Sequence, residues 1–111
     1  MGVSGARKRI TDLLLSRAGV SLHPHRFGGS EYRLGKRELG HIHGDHLVDI
    51  PFSTKVSDEV VSAGQALPHH VLPDSGWVSF YLVESGDDER ASFLLRRSCE
   101  LALQQHQRRY D

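Results

Sequence analysis

A single cysteine, Cys99, among 111 residues excludes an internal disulfide and any zinc site built from several thiolates. A reducing compartment suits such a chain. No run of apolar residues is long enough to cross a bilayer, and the N-terminus lacks the apolar stretch and cleavage site of a secretory signal, so a cytoplasmic protein is expected. Fourteen basic residues balance fourteen acidic ones, which leaves no global field to draw in nucleic acid or an anionic membrane. Nucleic acid is not an expected partner on that ground. The basic clusters Arg7-Lys8-Arg9 and Arg108-Arg109 read as solvated helix surface. No internal repeat, P-loop, G-x-S-x-G elbow or paired-cysteine motif is present.

Apolar residues at 38% and charged residues at 25% describe a globular chain of one domain, residues 1–111. Helical spacing of Ile10, Leu13 and Leu14 predicts a helix over 5–17, capped by Ser4, frayed by its basic first turn and stopped by Gly19. Strands follow at 21–26, 31–34, 37–43 and 46–52, punctuated by Gly28-Gly29, Gly35-Lys36 and Gly44-Asp45, and they read as an antiparallel meander. Pro24 inside the first strand argues for an edge position or an irregular strand. A short helix capped by Ser57 ends at Gly64, a loop covers 65–76, and 77–83 form a central strand with Val78, Phe80 and Leu82 on one face and Trp77, Ser79 and Tyr81 on the other. Ser85-Gly-Asp-Asp88 has the form of a capping box, and Ala91, Leu94, Leu95 and Ser98 begin the stripe of a closing helix. The expected fold class is α+β: an antiparallel sheet of about five strands with N- and C-terminal helices packed on it.

Histidine is what the chain does have. Five of its eight histidines fall in two clusters, Glu38-Leu-Gly-His41-Ile-His43-Gly-Asp-His46 and Pro68-His69-His70, the second followed by Asp74-Ser-Gly-Trp77. Imidazole titrates near neutral pH and is the commonest metal ligand, so this enrichment marks candidate chemistry. Alternation along a strand puts His41 and His43 on one face, able to reach one ion or one substrate group, with His46 or Asp49 brought near by the hairpin. Glu38 falls on the opposite face of a regular strand and needs a bulge to join them. The Gly35-x5-His41-x-His43 spacing opens like a cupin metal motif, but no glutamate follows at the required distance and the strands are too few for that barrel. A divalent transition metal held by His41, His43 and one of His69, His70 or Asp49 is one option; a cofactor-free site is the other. His69 and His70, adjacent in extended backbone, point apart, so at most one faces a shared site. Trp77 is a candidate pocket wall or core residue, Asp74 a turn residue, His23 and His25 solvated edge positions, His106 a helix-terminal partner, and Cys99 a buried thiol.

From Glu38-Leu-Gly-His41-Ile-His43-Gly-Asp through Asp49-Ile-Pro-Phe to Pro68-His69-His70-Val-Leu-Pro-Asp74-Ser-Gly-Trp77, the sequence resembles the small bacterial luciferase-domain family. Its domain is shared with fungal luciferases, which oxidise a hydroxypyrone with molecular oxygen. The fungal pattern is E-x-x-H-x-H, a polar strand position, then a glycine five residues before another histidine, matched here by Glu38, His41, His43, Asp49, Gly64 and His69. The chain departs from it at Asp49, where the fungal enzymes have histidine, and at Gln65, where they have an aromatic residue. The strand at Trp77 and the helix through Leu94 to Ser98 also resemble the frataxin-like YjbR-type proteins, some of which are thought to bind DNA.

The resemblance implies His69 as the distant partner of His41 and His43. The candidate catalytic residues, and the candidate metal ligands, are therefore His41, His43 and His69; Glu38, Asp49, His70 and Trp77 are candidate ligand-binding residues. The implied activity is an oxygenase, an oxidoreductase of the monooxygenase kind, acting on an enol- or phenol-like small molecule. One histidine serves as base, while a protonated histidine or a metal steadies the anion. The alternatives are a non-catalytic binding module, for protein or nucleic acid, and a metal-binding protein without turnover. Oligomeric state is not legible in the sequence.

Overall fold

The computed structural model describes residues 2–110, without the side chains of Phe27, Arg109 and Tyr110. The Arg109 half of the C-terminal basic cluster therefore lies outside the described side chains. The order is α1 (Ala6–Leu15), β1 (Val20–Pro24), a 3₁₀ turn (Arg26–Gly28), β2 (Ser30–Leu34), β3 (Arg37–His43), β4 (Leu47–Pro51), α2 (Thr54–Ser62), β5 (Leu67–Pro68), β6 (Trp77–Tyr81) and α3 (Asp87–Tyr110). The fold is α+β, with one antiparallel sheet in the order β1-β2-β3-β4-β6-β5. The sixth strand, β5, has only two residues, and its pairing with β6 is what the expected loop over 65–76 overlooked. β6 is interior and β1 lies at an edge, as Pro24 requires.

Alternation divides the sheet into an apolar and a polar face. Tyr32, Ile42, Val48, Ile50 and Val78 are fully buried on the first, in one core with Ile10 and Leu14 of α1, Val60 of α2, and Leu94 and Leu95 of α3. Burying each such side chain stabilises the fold by about 1.5–3 kcal/mol, so the helices take this face. The opposite face carries one row of directly paired residues across five strands: His23, Glu31, His41, Asp49 and Ser79. The pleat thus hands the polar chemistry to the face without helices.

The helix ends differ from the sequence expectation. Residue 5, not Ser4, is the N-cap of α1, and the Asp45 carboxylate accepts from the Gly5 and Arg7 amides at 3.3 and 2.9 Å. That carboxylate, with Asp88 accepting from Arg9 Nε at 2.7 Å, offsets the basic first turn. α2 starts earlier than expected: Ser53 Oγ accepts from the Val56 amide at 3.2 Å, and Ser57 is buried instead. The approach to α3 is held by Asp87, whose Oδ2 accepts from the Val83 and Glu84 amides at 2.8 and 2.9 Å. In the loop before β6 the turn hydrogen bonds belong to Ser75 rather than Asp74, and Gly76 (φ 91°), next to Ser75, packs so close that a Cβ would stand 2.3 Å from the Phe52 carbonyl oxygen. Among the described residues no helix is long and apolar enough to cross a membrane.

Candidate functional site

Asp49 sits at the middle of the polar row and is 1% exposed. Its two oxygens face different partners. Oδ2 lies 3.2 Å from His41 Nε2 and 3.3 Å from His43 Nε2. Oδ1 accepts from the Ser79 hydroxyl at 2.7 Å and lies 3.8 Å from both His69 Nε2 and His70 Nδ1. Four imidazoles therefore surround one buried carboxylate. His41 and His43 arrive from β3 as strand alternation predicts, ring centroids 5.0 Å apart and nearly perpendicular. Trp77 stands beside them, 5.3 Å from the His41 ring and 6.1 Å from that of His69.

Glu38 also joins the site, by the device that a regular strand denies it. Arg33 pairs with Glu38 and Tyr32 with Gly40, so Leu39 is the extra residue of a bulge, which swings Glu38 onto the face of His41. His41 Nδ1–H then donates to Glu38 Oε2 at 2.7 Å. Gly40 makes the bulge possible: its φ is 153°, and a Cβ there would meet Leu95 Cδ2 at 2.6 Å and the Asp49 carbonyl oxygen at 3.0 Å. The Leu39 carbonyl left over by the bulge accepts from Ser98 Oγ at 2.9 Å. A glycine inside a strand is itself a bulge signal.

His69 and His70 do not point apart. The chain bends at His70 and Val71 directly after β5, so the two rings stack at 4.3 Å and both address Asp49. Their hydrogen bonds fix their protons. His69 Nδ1 accepts from the amides of Val71 and Leu72 at 3.1 and 3.0 Å, so the neutral ring carries its hydrogen on Nε2. Ser79 donates to Asp49, hence its oxygen accepts from His70 Nδ1–H at 3.1 Å, and His70 keeps its lone pair on Nε2.

His25, expected to be a solvated edge residue, belongs to the cluster instead. Its ring stacks on His41 with centroids 3.8 Å apart and 12° between planes, and its Nδ1–H donates to Glu31 Oε1 at 2.8 Å, while Arg33 pairs with the other Glu31 oxygen. It lies past the end of β1, where alternation no longer assigns a face. Ser79 is the second residue not singled out, although its place on the Trp77 face of β6 was legible. His46 is exposed on the β3–β4 turn, outside the cluster.

Burial opposes a charge on His41, but the carboxylates of Asp49 and Glu38 outweigh it and raise its pKa to about 9. The same ring is therefore cationic at neutral pH. Burial, then the charge on His41, pushes His43 below its ordinary value despite Asp49. Burial also lowers His69 against the opposing pull of Asp49, with smaller lowering contributions from His70 and His41. Asp49 pays a burial penalty that would raise its pKa, yet His41 and Ser79 bring it below the usual carboxylate range.

The arrangement defines a class: an α+β domain whose helix-free sheet face carries a buried carboxylate ringed by histidines. The sequence model of the Luciferase domain matches residues 36–98, from the β2–β3 turn into α3, and the chain belongs to that family. The match contains Glu38, His41, His43, Asp49, His69, His70, Trp77 and Ser79, and leaves His25 and Glu31 outside. No curated protein and no solved structure matches the chain.

Proposed function

We propose that residues 1–111 act as one domain whose histidine face binds an enol- or phenol-like small molecule, of the hydroxypyrone kind, and presents its ionised form to dioxygen. The observation that carries this reading is the pair of opposed proton states beside Asp49: His69 offers an Nε2–H, and His70 offers an Nε2 lone pair. A ligand hydroxyl that gives its proton to one and receives a hydrogen bond from the other becomes an anion in place. Trp77 supplies a flat wall for a planar ring.

The reaction that follows is balanced without a further reductant. The enolate gives an electron pair to dioxygen, a carbon–oxygen bond forms, and the oxygen is reduced to the peroxide level. The proton taken up by His70 returns to the distal oxygen, so enol plus dioxygen gives a keto hydroperoxide. His70, with its side chain 39% exposed, is placed to exchange protons with the solvent side.

Trp77 is the only tryptophan, so its fluorescence reports ligand at the site. Titration with a 4-hydroxypyrone should quench it, and His69→Ala should weaken that binding about tenfold, in line with loss of one hydrogen bond to an anion. His70→Ala should retain binding and reduce oxygen uptake at an oxygen electrode by about 100-fold. Binding that is unchanged in His69→Ala, or no quenching at all, overturns the reading.

A further inference from the structure

We infer that His41 Nε2, His43 Nε2 and Asp49 Oδ2 are the three protein ligands of a divalent transition-metal centre, with His69 beside it as a hydrogen-bond donor and not a ligand. This deepens the small-molecule reading, which it supplies with a Lewis acid. The argument begins with lengths. A charge-assisted N–H to carboxylate bond settles at about 2.7–2.9 Å. In this site Glu38 meets His41 at 2.7 Å and Ser79 meets Asp49 at 2.7 Å, so short contacts are made where they are wanted. The two contacts to Asp49 Oδ2 are 3.2 and 3.3 Å, long for such bonds. Atoms that bind one ion at 2.0–2.2 Å stand roughly 2.8–3.1 Å apart in cis octahedral positions and roughly 3.3–3.6 Å apart in tetrahedral ones. The observed 3.2 and 3.3 Å lie at the short edge of the tetrahedral spacing. One ligand atom from each of His41, His43 and Asp49 lies within 4.8 Å of the other two.

The surrounding hydrogen bonds prepare the same atoms. Glu38 holds the Nδ1 proton of His41, which leaves Nε2 as the coordinating nitrogen, the arrangement that orients metal-binding histidines in general. That bond also excludes a competing site made from His25, Glu38 and His41, because Glu38 and His41 Nδ1 share a proton. Ser79 and, through it, His70 tie down Oδ1 of Asp49 and leave Oδ2 for the ion. His69 is excluded as a ligand by its two backbone partners: the amides of Val71 and Leu72 occupy Nδ1, so Nε2 bears the hydrogen. The donor set is two histidines and one carboxylate, a combination that leaves coordination positions open and suits iron(II), cobalt(II) or zinc(II). Charge supports the assignment as well. Asp49 and Glu38 together place two negative charges where the ligand anion is to form, and a divalent cation offsets both.

The test uses untagged protein stripped with a chelator and titrated with cobalt(II), followed by visible d–d absorption and by calorimetry. One equivalent should bind. His43→Gln, at a side chain 27% exposed and outside the core, should weaken binding at least 100-fold, and Glu38→Gln about 10–100-fold with unchanged stoichiometry. His69→Ala should change affinity less than threefold. Circular dichroism melts of each variant separate loss of ligand from loss of fold, and Asp49→Glu serves where Asp49→Asn unfolds. Less than about a tenth of an equivalent of cobalt(II), or binding lost in His69→Ala but kept in His43→Gln, overturns the centre. Quenching of Trp77 by a hydroxypyrone in the metal-free protein distinguishes the two failures: if it persists without metal binding, the small-molecule site stands and the metal centre falls.

Discussion

Asp49 shows at the scale of one residue why the cluster holds together. An isolated carboxylate at 1% exposure would be driven towards its neutral acid, yet His41 and Ser79 reverse that direction. The stabilisation is mutual, since Asp49 and Glu38 are what keep His41 charged against its own burial. Replacing Asp49 by asparagine in the metal-free protein should therefore move the His41 titration from about 9 downward by more than one pH unit, followed by NMR of the ring carbons. Stability should fall by about 2–4 kcal/mol, because a charged partner is left buried. A His41 titration that does not move would sink the coupling. Of these residues, His41, His43 and Asp49 were legible from strand alternation and hairpin pairing. His69 came from family resemblance, and only the bend after β5 explains why His70 comes with it. His25 was not legible, because a ring past the end of a strand has no assigned face.

At the scale of elements, the bulge in β3 turns a regular strand into a site. It depends on a backbone conformation at Gly40 that other residues resist, on room for no side chain there, and on Ser98 of α3 to satisfy the extra carbonyl. Gly40→Ala should destabilise the protein by about 1–3 kcal/mol in chemical denaturation and should also disturb His41, since the Glu38 bond depends on the same bulge. Ser98→Ala should cost about 1–2 kcal/mol and leave the His41 titration in place, because it removes one buried hydrogen bond behind the sheet. Equal effects of the two substitutions on His41 would mean that the bulge is not the controlling feature. The meander, α3 and the central place of β6 were legible because their periods are long and regular. The bulge was not, because Glu38-Leu-Gly-His41 reads as unbroken strand unless its glycine is given weight. The caps differed for two reasons: Asp45 reaches the start of α1 from a distant turn, which local spacing does not contain, while Ser53 is a local cap, three residues before Val56, that an expected start at Ser57 passes over.

For the whole molecule, the sheet puts its apolar side under three helices and gathers unlike titrating groups on the other, so folding and pH are coupled in a definite sense. His41 has a folded pKa near 9 against 6.5 unfolded. Its contribution is fully present below pH 6.5 and is lost as pH rises towards 9, a change on the order of 3 kcal/mol. Tyr32, whose burial raises its pKa above 10 despite Thr11, continues the decline on the alkaline side. His43 and His69 act in the opposite direction. Their folded pKa values are lowered, so below pH 6.5 the unfolded chain takes up protons that the folded one refuses, and stability falls with falling pH. Asp49 and Glu31, both lowered, add a further loss as pH drops below 3.8 and 4.5 towards their folded values. Denaturant unfolding of the metal-free protein should accordingly show greatest stability near pH 6.5, with a decline of about 1 kcal/mol per pH unit between 7 and 9. His41→Asn should flatten that alkaline limb and also shrink the acid limb, because part of the lowering of His43, His69 and Asp49 comes from His41. A wild-type profile that is level from pH 6.5 to 9 would show that His41 does not carry its proton in the fold, and with it the view that one buried carboxylate organises the histidine face.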